Sequence, residues 1–206
     1  MNIQLMEAQR KNKLEKGFTL IELLVVIAIL AVLATAVVLV INPAELLAQG
    51  RDSTRISDLS TLKTAISLYL ADTGGAALAP SYTTCYISTV SGTGTSTAKC
   101  GVFVSGGIAV NSSTTAANYK KIDGNGWIPI NFYQINSARP PLSTLPSDPS
   151  NTSTYYYSFV ATSTGAYELD AFMESKKYGK GGSKDMVQND GGDNSNAYEI
   201  GSMLTL

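Results

Sequence analysis

The chain has no histidine among its 206 residues. This excludes catalytic arrangements that pair histidine with serine or cysteine, and it excludes zinc sites ligated by histidine. The glycine-rich run Gly179–Lys184 lacks the spacing of a phosphate-binding P-loop and predicts a flexible turn instead. There is no basic patch interleaved with aromatic residues that would predict nucleic-acid binding. These absences favour a protein that is not an enzyme and requires no cofactor.

What the chain does have is one long apolar segment near its N-terminus. From Phe18 to Ile41 the only charged residue is Glu22. As a helix rising 1.5 Å per residue, this segment would extend roughly 36 Å, enough to cross a hydrocarbon core of about 30 Å. Insertion scales assign a cost of about 2.5 to 3.5 kcal/mol to an acid in the middle of a membrane. We therefore expect Glu22 to have a functional partner.

Basic residues precede the apolar segment. Residues 1–17 carry four of them, Arg10, Lys11, Lys13 and Lys16, against the acids Glu7 and Glu15. Basic residues beside an apolar span mark its cytoplasmic end, so the rest of the chain should be translocated. No small-residue cleavage site follows a short apolar core, so an ordinary secretory signal peptide fits less well.

The stretch Lys16-Gly17-Phe18-Thr19-Leu20-Ile21-Glu22, with the apolar run it opens, closely resembles the class III signal segment of type IV pilins and pseudopilins. The resemblance implies that a prepilin peptidase cleaves between Gly17 and Phe18 and that the new amine of Phe18 is N-methylated. It also implies an assembly role for Glu22, because the Phe18 amine of one subunit can approach the Glu22 carboxylate of a neighbour. Such a buried pair can specify register. The alternative is an ordinary single-span anchor that contains a glutamate by coincidence.

The resemblance implies an α+β fold of the type IV pilin kind, with a long N-terminal helix packed on an antiparallel sheet. Asn42-Pro43 interrupts the helical pattern, and it marks either the membrane boundary or a hinge that loosens on assembly. The chain then divides into four parts: a cleaved leader (1–17), a transmembrane and filament-core helix (18–42), an amphipathic helix half (43–73) and a β-rich globular head (74–206).

The second helix half shows an apolar stripe that includes Leu59, Leu62 and Ile66, and it should lie against the head. The polar residues Arg51, Asp52, Arg55, Asp58 and Lys63 favour the opposite face of the helix. Glycines at 74 and 75 are expected to end it.

Short strands with alternating or apolar character are predicted in the head. The last two before the C-terminal strand flank the turn 162–165 and form a hairpin, whose tyrosines are expected in the sheet core. In chain order the predicted strands are Tyr82–Val90, Gly101–Val104, Ile108–Val110, Tyr155–Ala161, Ala166–Met173 and Tyr198–Leu206.

Cys85 and Cys100 are the only cysteines. An even count in a translocated domain predicts a disulfide between them, and a pair of buried free thiols is the alternative. The bond would close a loop of about 15 residues and contribute on the order of 3 kcal/mol. Two cysteines without further soft ligands do not predict a metal site.

The acidic stretch 185–194 clusters Asp and Asn oxygens among glycines. These oxygens could hold Ca²⁺, which takes six to eight oxygen ligands, although the spacing does not match an EF-hand loop. Major pseudopilins carry a calcium site in a comparable C-terminal loop, so the resemblance adds to this expectation. The ligands would be Asp190 and Asp193, followed by Asp185. A solvated acidic turn is the alternative.

The predicted function is polymerisation into a cell-surface filament, as a structural subunit of a type IV pilus. The implied partners are further copies of the chain, a prepilin peptidase, an assembly platform with its ATPase, and the inner membrane that holds the single-pass precursor. A major pseudopilin of type II secretion is one alternative, favoured by the run Leu145-Pro146-Ser147-Asp148-Pro149 and by the acidic loop. A monomeric, membrane-anchored binding domain is an alternative of another class. The long Ser/Thr-rich middle section favours the pilus.

Overall fold

The computed structural model of the chain describes residues 17–80, 84–89, 109–111, 117–136 and 139–206. The chain divides into two compact units, Met1–Pro43 and Ala44–Leu206. Two helices come first, α1 (Leu20–Ile41) and α2 (Pro43–Thr73). The strands of the described residues follow in the order β1 (Thr84–Ile87), β2 (Ala109–Asn111), β3 (Tyr157–Ala161), β4 (Tyr167–Ala171) and β5 (Tyr198–Gly201), with a short 3₁₀ turn at Phe132–Gln134 before β3.

Helix α1 is apolar on every side. Its stretch Leu20–Val38 is long and apolar enough to cross a membrane, judged by length and composition, and none of it is buried within the chain. A helix that is apolar all round is stable only where lipid or other protein covers it. Helix α1 therefore needs lipid or other protein to cover it.

The two helices are separated by a single residue. Asn42 adopts the left-handed conformation, with φ 45° and ψ 77°, and ends α1. Asparagine tolerates this region better than most residues. Pro43 begins α2, where its missing N–H and fixed φ suit the first helical position. The helical pattern is thus interrupted at Asn42-Pro43, where the sequence predicts the interruption.

Helix α2 supplies one wall of the core. Leu59, Leu62, Ile66 and Tyr69 recur at helical spacing and are buried with the apolar side chains of the sheet. The helix ends before Gly74 and Gly75, which both have positive φ, as predicted. The apolar stripe expected from the sequence is therefore the face that holds the helix to the head.

The sheet has the strand order β2-β1-β3-β4-β5. β1, β3, β4 and β5 pair antiparallel, which confirms the predicted α+β fold. β2 pairs with β1 in parallel, so the expectation of a wholly antiparallel sheet is corrected at this edge. Parallel neighbours need a long connection, and residues 88–108 lie between these two strands.

The predicted strands are present where the structure describes them, mostly with shorter bounds. The predicted strand at Gly101–Val104 lies outside the described residues. The hairpin of β3 and β4 turns at residues 162–165, where Gly165 has φ 83°. Tyr157 and Tyr167 are buried in the core, which confirms the role predicted for the tyrosine stripe, whereas Tyr155 lies just before β3 and is half-buried.

Both faces of the hairpin are buried. Tyr157, Phe159 and Leu169 belong to the core shared with α2. The alternate residues, which point to the other face of a strand, include Ser158, Glu168 and Asp170, and they are also buried. The second face of this sheet therefore holds ionisable groups away from water.

Candidate functional site

Glu22 closes the first turn of α1 together with Thr19. The Thr19 backbone N–H and the Thr19 hydroxyl both donate to Glu22 Oε2, each at 2.8 Å, and the Glu22 N–H donates to Thr19 Oγ1 at 3.3 Å. This is a capping box, which satisfies two helix-terminal donors reciprocally. The spacing Thr-x-x-Glu is the sequence signature of a capping box, but the sequence analysis considered Glu22 only for its role in assembly. The one charge of the apolar segment thus has a local partner in the uncut chain.

Gly17 and Phe18 precede α1. Phe18 is 85% exposed, and a Cβ added to Gly17 would meet no atom within 4 Å. Gly17 is also absent from the residues with positive φ. The described structure therefore gives no steric or conformational reason for a glycine at position 17.

The polar face of α2 holds a buried arginine. Arg55 has no exposed surface, and its guanidinium binds Asp148 through two hydrogen bonds, Nε to Oδ2 at 2.6 Å and Nη2 to Oδ1 at 2.9 Å. Arg55 Nη1 also donates to Asp52 Oδ1 at 2.6 Å and to Glu174 Oε2 at 3.3 Å. Such forked charge-assisted bonds are among the strongest that side chains make. The face that the sequence assigns to polar residues is therefore buried at Asp52 and Arg55.

The acids of this cluster also organise the backbone on either side of the hairpin. Asp148 accepts the N–H groups of Ser150 and Asn151, and Asp52 accepts the N–H groups of Glu174 and Ser175. Asp148 is the acid of the Leu145–Pro149 run that the sequence singles out. The run therefore attaches the chain before β3 to helix α2, which is a structural role.

Arg51 extends the cluster to the surface. Its guanidinium donates to Glu174 at 2.6 and 2.7 Å, with the Arg51 side chain about one-third exposed. This contact, with burial opposing it, keeps the pKa of Glu174 below its usual value. Burial also opposes the charged form of Arg55, but the hydrogen bonds to Asp148 and Asp52 raise the pKa of Arg55 above its ordinary value. We refer to Arg51, Asp52, Arg55, Asp148 and Glu174 as the arginine cluster.

A second group of ionisable side chains lies on the other face of the sheet. Glu168 and Asp170 are two residues apart on β4, and Asp170 is directly opposite Glu199 on β5. Their exposed fractions are 0%, 1% and 2%, respectively. One carboxylate oxygen of each lies within 4.8 Å of the corresponding oxygens of the other two. We refer to these three residues as the acid cluster.

Each member of the acid cluster uses one oxygen and leaves the other without a donor. Glu168 Oε2 accepts from the Leu206 N–H, Asp170 Oδ2 from the Ser158 hydroxyl, and Glu199 Oε2 from the Asn194 N–H, all at 2.9 Å. Glu168 Oε1, Asp170 Oδ1 and Glu199 Oε1 are buried and accept from no donor outside the cluster, and Glu168 can hydrogen-bond Asp170 and Glu199 only where a carboxyl carries a proton. Every ion pair among the described residues involves Arg51 or Arg55, so none reaches this cluster.

Burial and mutual repulsion make the charged forms of these acids costly. Burial, followed by the negative charge of Asp170, raises the pKa of Glu168 to about 8. Burial raises the pKa of Glu199 to about 8 and that of Asp170 to about 7. Sequence analysis missed the cluster because alternation on a strand predicts exposed acids whenever the sheet is covered on one face only. Nothing in the sequence around residues 168, 170 and 199 indicates that these acids are buried.

The acids expected to bind calcium lie in the loop before β5. Asp185 accepts the N–H groups of Gly181, Val187 and Gln188, which with a small opposing effect of burial keeps the pKa of its carboxyl low. Asp190 accepts the N–H groups of Gly192 and Glu199. Asp193 is exposed. Asp185 and Asp190 thus shape the turn, and calcium binding by Asp185, Asp190 and Asp193 stays a prediction.

The structure describes one of the two cysteines. Cys85 is fully buried in β1. Cys100 lies outside the described residues, so the disulfide between them stays a prediction.

Comparison with known proteins identifies one motif. Residues 12–38 match the family model described as the prokaryotic N-terminal methylation motif. No curated protein and no solved structure matches the chain significantly. The motif and the apolar helix α1 together indicate a precursor anchored in a membrane and processed by a prepilin peptidase. The chain therefore carries the N-terminal methylation motif ahead of an α+β fold, a combination consistent with type IV pilins and pseudopilins.

Proposed function

We propose that the chain is the precursor of a structural subunit of a type IV pilus, which polymerises into a cell-surface filament after cleavage and N-methylation. The observation that carries the proposal is helix α1, which is apolar along its length, unburied within the chain, and largely contained in the methylation motif at residues 12–38. In the membrane, lipid covers this helix. In a filament, the same helix of neighbouring subunits would cover it.

The driving force for assembly would be burial of the apolar side chains of α1. Large apolar residues along the helix, such as Ile21, Leu30 and Val40, are about half exposed or more in the single chain. Full burial of such a side chain is worth roughly 1.5 to 3 kcal/mol relative to water. Transfer from lipid to a helix bundle gains less, because packing and hydrogen bonds rather than water exclusion drive helix association in membranes. Extraction from the membrane is therefore assigned to an assembly platform and its ATPase.

Glu22 would supply the specific part of the interaction. Cleavage after Gly17 leaves Thr19 in place, so the capping box can persist in the mature chain. It also creates a positive amine on Phe18, one residue before the cap. Among the described residues the Glu22 carboxylate accepts only from Thr19, and a neighbouring Phe18 amine would give it an opposite charge in the apolar filament core. Losing one partner of such a buried pair costs about 3 to 5 kcal/mol.

The test of processing and location is the intact mass and N-terminal residue of the protein in material sheared from the cell surface. We expect a chain that begins at N-methylated Phe18 in the sheared filament fraction. The same processed chain found only in membranes would favour a pseudopilin of a type II secretion system. An uncut chain beginning at Met1 would overturn the proposal and favour a monomeric, membrane-anchored domain.

The test of the assembly role is Glu22→Ala, with Thr19→Val as the matched control. We expect Glu22→Ala to be cleaved and methylated normally but to yield no sheared filaments, since both the inter-subunit pair and the cap are lost. Thr19→Val removes the hydroxyl of the cap and leaves the Glu22 charge, so filaments should still form. Abundant filaments from Glu22→Ala would contradict the role of Glu22.

A further inference from the structure

We propose that Glu168, Asp170 and Glu199 form a Ca²⁺-binding site on the second face of the sheet, with ligands drawn from strands β4 and β5. This site lies in the second unit and does not depend on the filament function proposed above. It also differs from the loop site that the sequence predicts, because none of its three carboxylates comes from residues 185–194.

The arrangement of the oxygens is the first support. Two oxygens bound to one Ca²⁺ at 2.3 to 2.6 Å are at most about 5.2 Å apart. One oxygen from each of the three carboxylates lies within 4.8 Å of the others, so all three can reach a common ion. The cluster therefore meets the distance requirement before any side chain moves.

The hydrogen-bond pattern is the second and independent support. Neutral donors hold one oxygen of each carboxylate: the Leu206 N–H, the Ser158 hydroxyl and the Asn194 N–H. The remaining oxygen of each is buried and unpartnered. Three buried acceptors without a donor, on residues of 0 to 2% exposure, are a high cost that native structures rarely accept. A cation bound to these oxygens would remove that cost.

The charge of the cluster is the third support. Like charges directly opposite each other on neighbouring strands are destabilising, and Asp170 and Glu199 occupy such a pair. No ion pair among the residues that the structure describes brings a lysine or arginine to them. A divalent ion would offset most of this negative charge at a single point.

The chemistry of the donors selects the kind of ion. All three ligands are carboxylates, without nitrogen or sulfur, which disfavours zinc and suits hard cations. Ca²⁺ accepts mono- or bidentate carboxylates in irregular geometry, whereas Mg²⁺ demands a near-octahedral shell and keeps several waters. Three carboxylates on two strands would supply part of the six to eight oxygens that Ca²⁺ takes, and their irregular arrangement favours Ca²⁺ over Mg²⁺.

The test measures Ca²⁺ binding to the full chain in detergent micelles, after treatment with a chelator. Isothermal titration with CaCl₂ gives the stoichiometry, and fluorescence of the single tryptophan, the buried Trp127, reports the melting temperature. We expect one ion per chain, and a melting temperature about 5 to 10 °C higher at a hundredfold excess over Kd. MgCl₂ at the same concentration should give a smaller shift.

Two variants locate the ligands. Asp170→Asn and Glu199→Gln should each weaken Ca²⁺ binding at least tenfold, and they keep the size of the side chain. Asp193→Asn is the matched control, because Asp193 is an exposed acid of the neighbouring loop and should leave Kd unchanged. If Asp193→Asn weakens binding as much as Asp170→Asn does, the ion lies in the loop and the sheet site is wrong.

The wild-type chain alone can also overturn the proposal. No heat of Ca²⁺ binding, together with a melting temperature that is the same in CaCl₂ and in chelator, would mean that the acid cluster keeps its charge low by sharing protons. A larger shift with MgCl₂ than with CaCl₂ would overturn the choice of ion. Neither result would bear on cleavage at Gly17 or on filament formation, which have their own tests.

Discussion

The head buries two groups of carboxylates, and they are satisfied in opposite ways. In the arginine cluster, Asp52 and Asp148 share the guanidinium of Arg55 and also accept backbone N–H groups. In the acid cluster, each carboxylate has one neutral donor and no cation. Asp52 and Asp148 are buried as deeply as the three carboxylates of the acid cluster. The comparison shows that the free-energy cost of a buried carboxylate depends on its hydrogen-bond and charge partners and not on its depth of burial alone.

The largest expected effect is the loss of the shared cation. Arg55→Met would leave Asp52 and Asp148 buried without an opposite charge, and breaking a buried ion pair in this way costs about 3 to 5 kcal/mol. Urea denaturation of the full chain in micelles at pH 7, followed by Trp127 fluorescence, measures this loss. Arg51→Met is the control, because Arg51 is one-third exposed and its pair with Glu174 should contribute no more than about 1 kcal/mol. Equal losses from the two variants would mean that Arg55 does not hold the cluster together.

The same Asp→Asn change should have different consequences in the two clusters. Asp148→Asn removes half of a two-bond pair with Arg55, and we expect a loss of about 2 to 4 kcal/mol that does not depend on calcium. Asp170→Asn removes one of three buried acids whose charged forms are costly beside one another, so in chelator it should cost less than about 1 kcal/mol or even stabilise the head. Adding CaCl₂ should reverse the second result, because only the wild-type cluster gains the ion. Denaturation curves of both variants in chelator and in CaCl₂ test the contrast.

The two clusters also show which features of the fold could not be predicted from the sequence. The methylation motif, helix α1 and the hairpin of β3 and β4 could be predicted because each is a local pattern of apolar residues or of a signal. The burial of Arg55 could not, because its partner Asp148 lies 93 positions further along the chain. Polar residues on one helix face predict that the face is exposed to solvent. Only the folded structure shows that this face is covered.

The acid cluster escaped prediction for a related reason. Its members come from two strands, and each is a single acid within an alternating segment. The calcium prediction was based on the Asp-rich loop, because its acids are adjacent in the sequence. In the structure, backbone N–H groups donate to Asp185 and Asp190. A run of acids in sequence is visible at once, whereas acids gathered by strand register become visible only in the sheet.

The pH dependence of stability should have opposite signs in the two clusters, because the pKa of Glu174 is lowered and those of the acid cluster are raised. The hydrogen bonds from Arg51 lower the folded-state pKa of Glu174, so the unfolded chain binds more protons at this group as the pH falls. The stabilisation from Glu174 is therefore complete above its ordinary pKa of about 4.5 and is lost as the pH drops below it. We expect the melting temperature to fall between pH 5 and pH 3, and Glu174→Gln to make that fall shallower. An unchanged slope in Glu174→Gln would contradict the contact with Arg51.

The smallest expected effect concerns a third carboxylate in apolar surroundings, Glu22, whose partners are one turn away. Among the described residues Glu22 Oε2 accepts from the Thr19 N–H and hydroxyl, and Thr19→Val removes the hydroxyl alone. Losing a capping side chain costs about 1 kcal/mol, and that cost is confined to the first turn of α1. Hydrogen exchange of the amides at residues 20–23 in micelles should speed up by roughly fivefold, while exchange in α2 stays the same. Unaltered exchange at the start of α1 would mean that the cap adds nothing to the helix, and that Glu22 has no local partner of consequence before assembly.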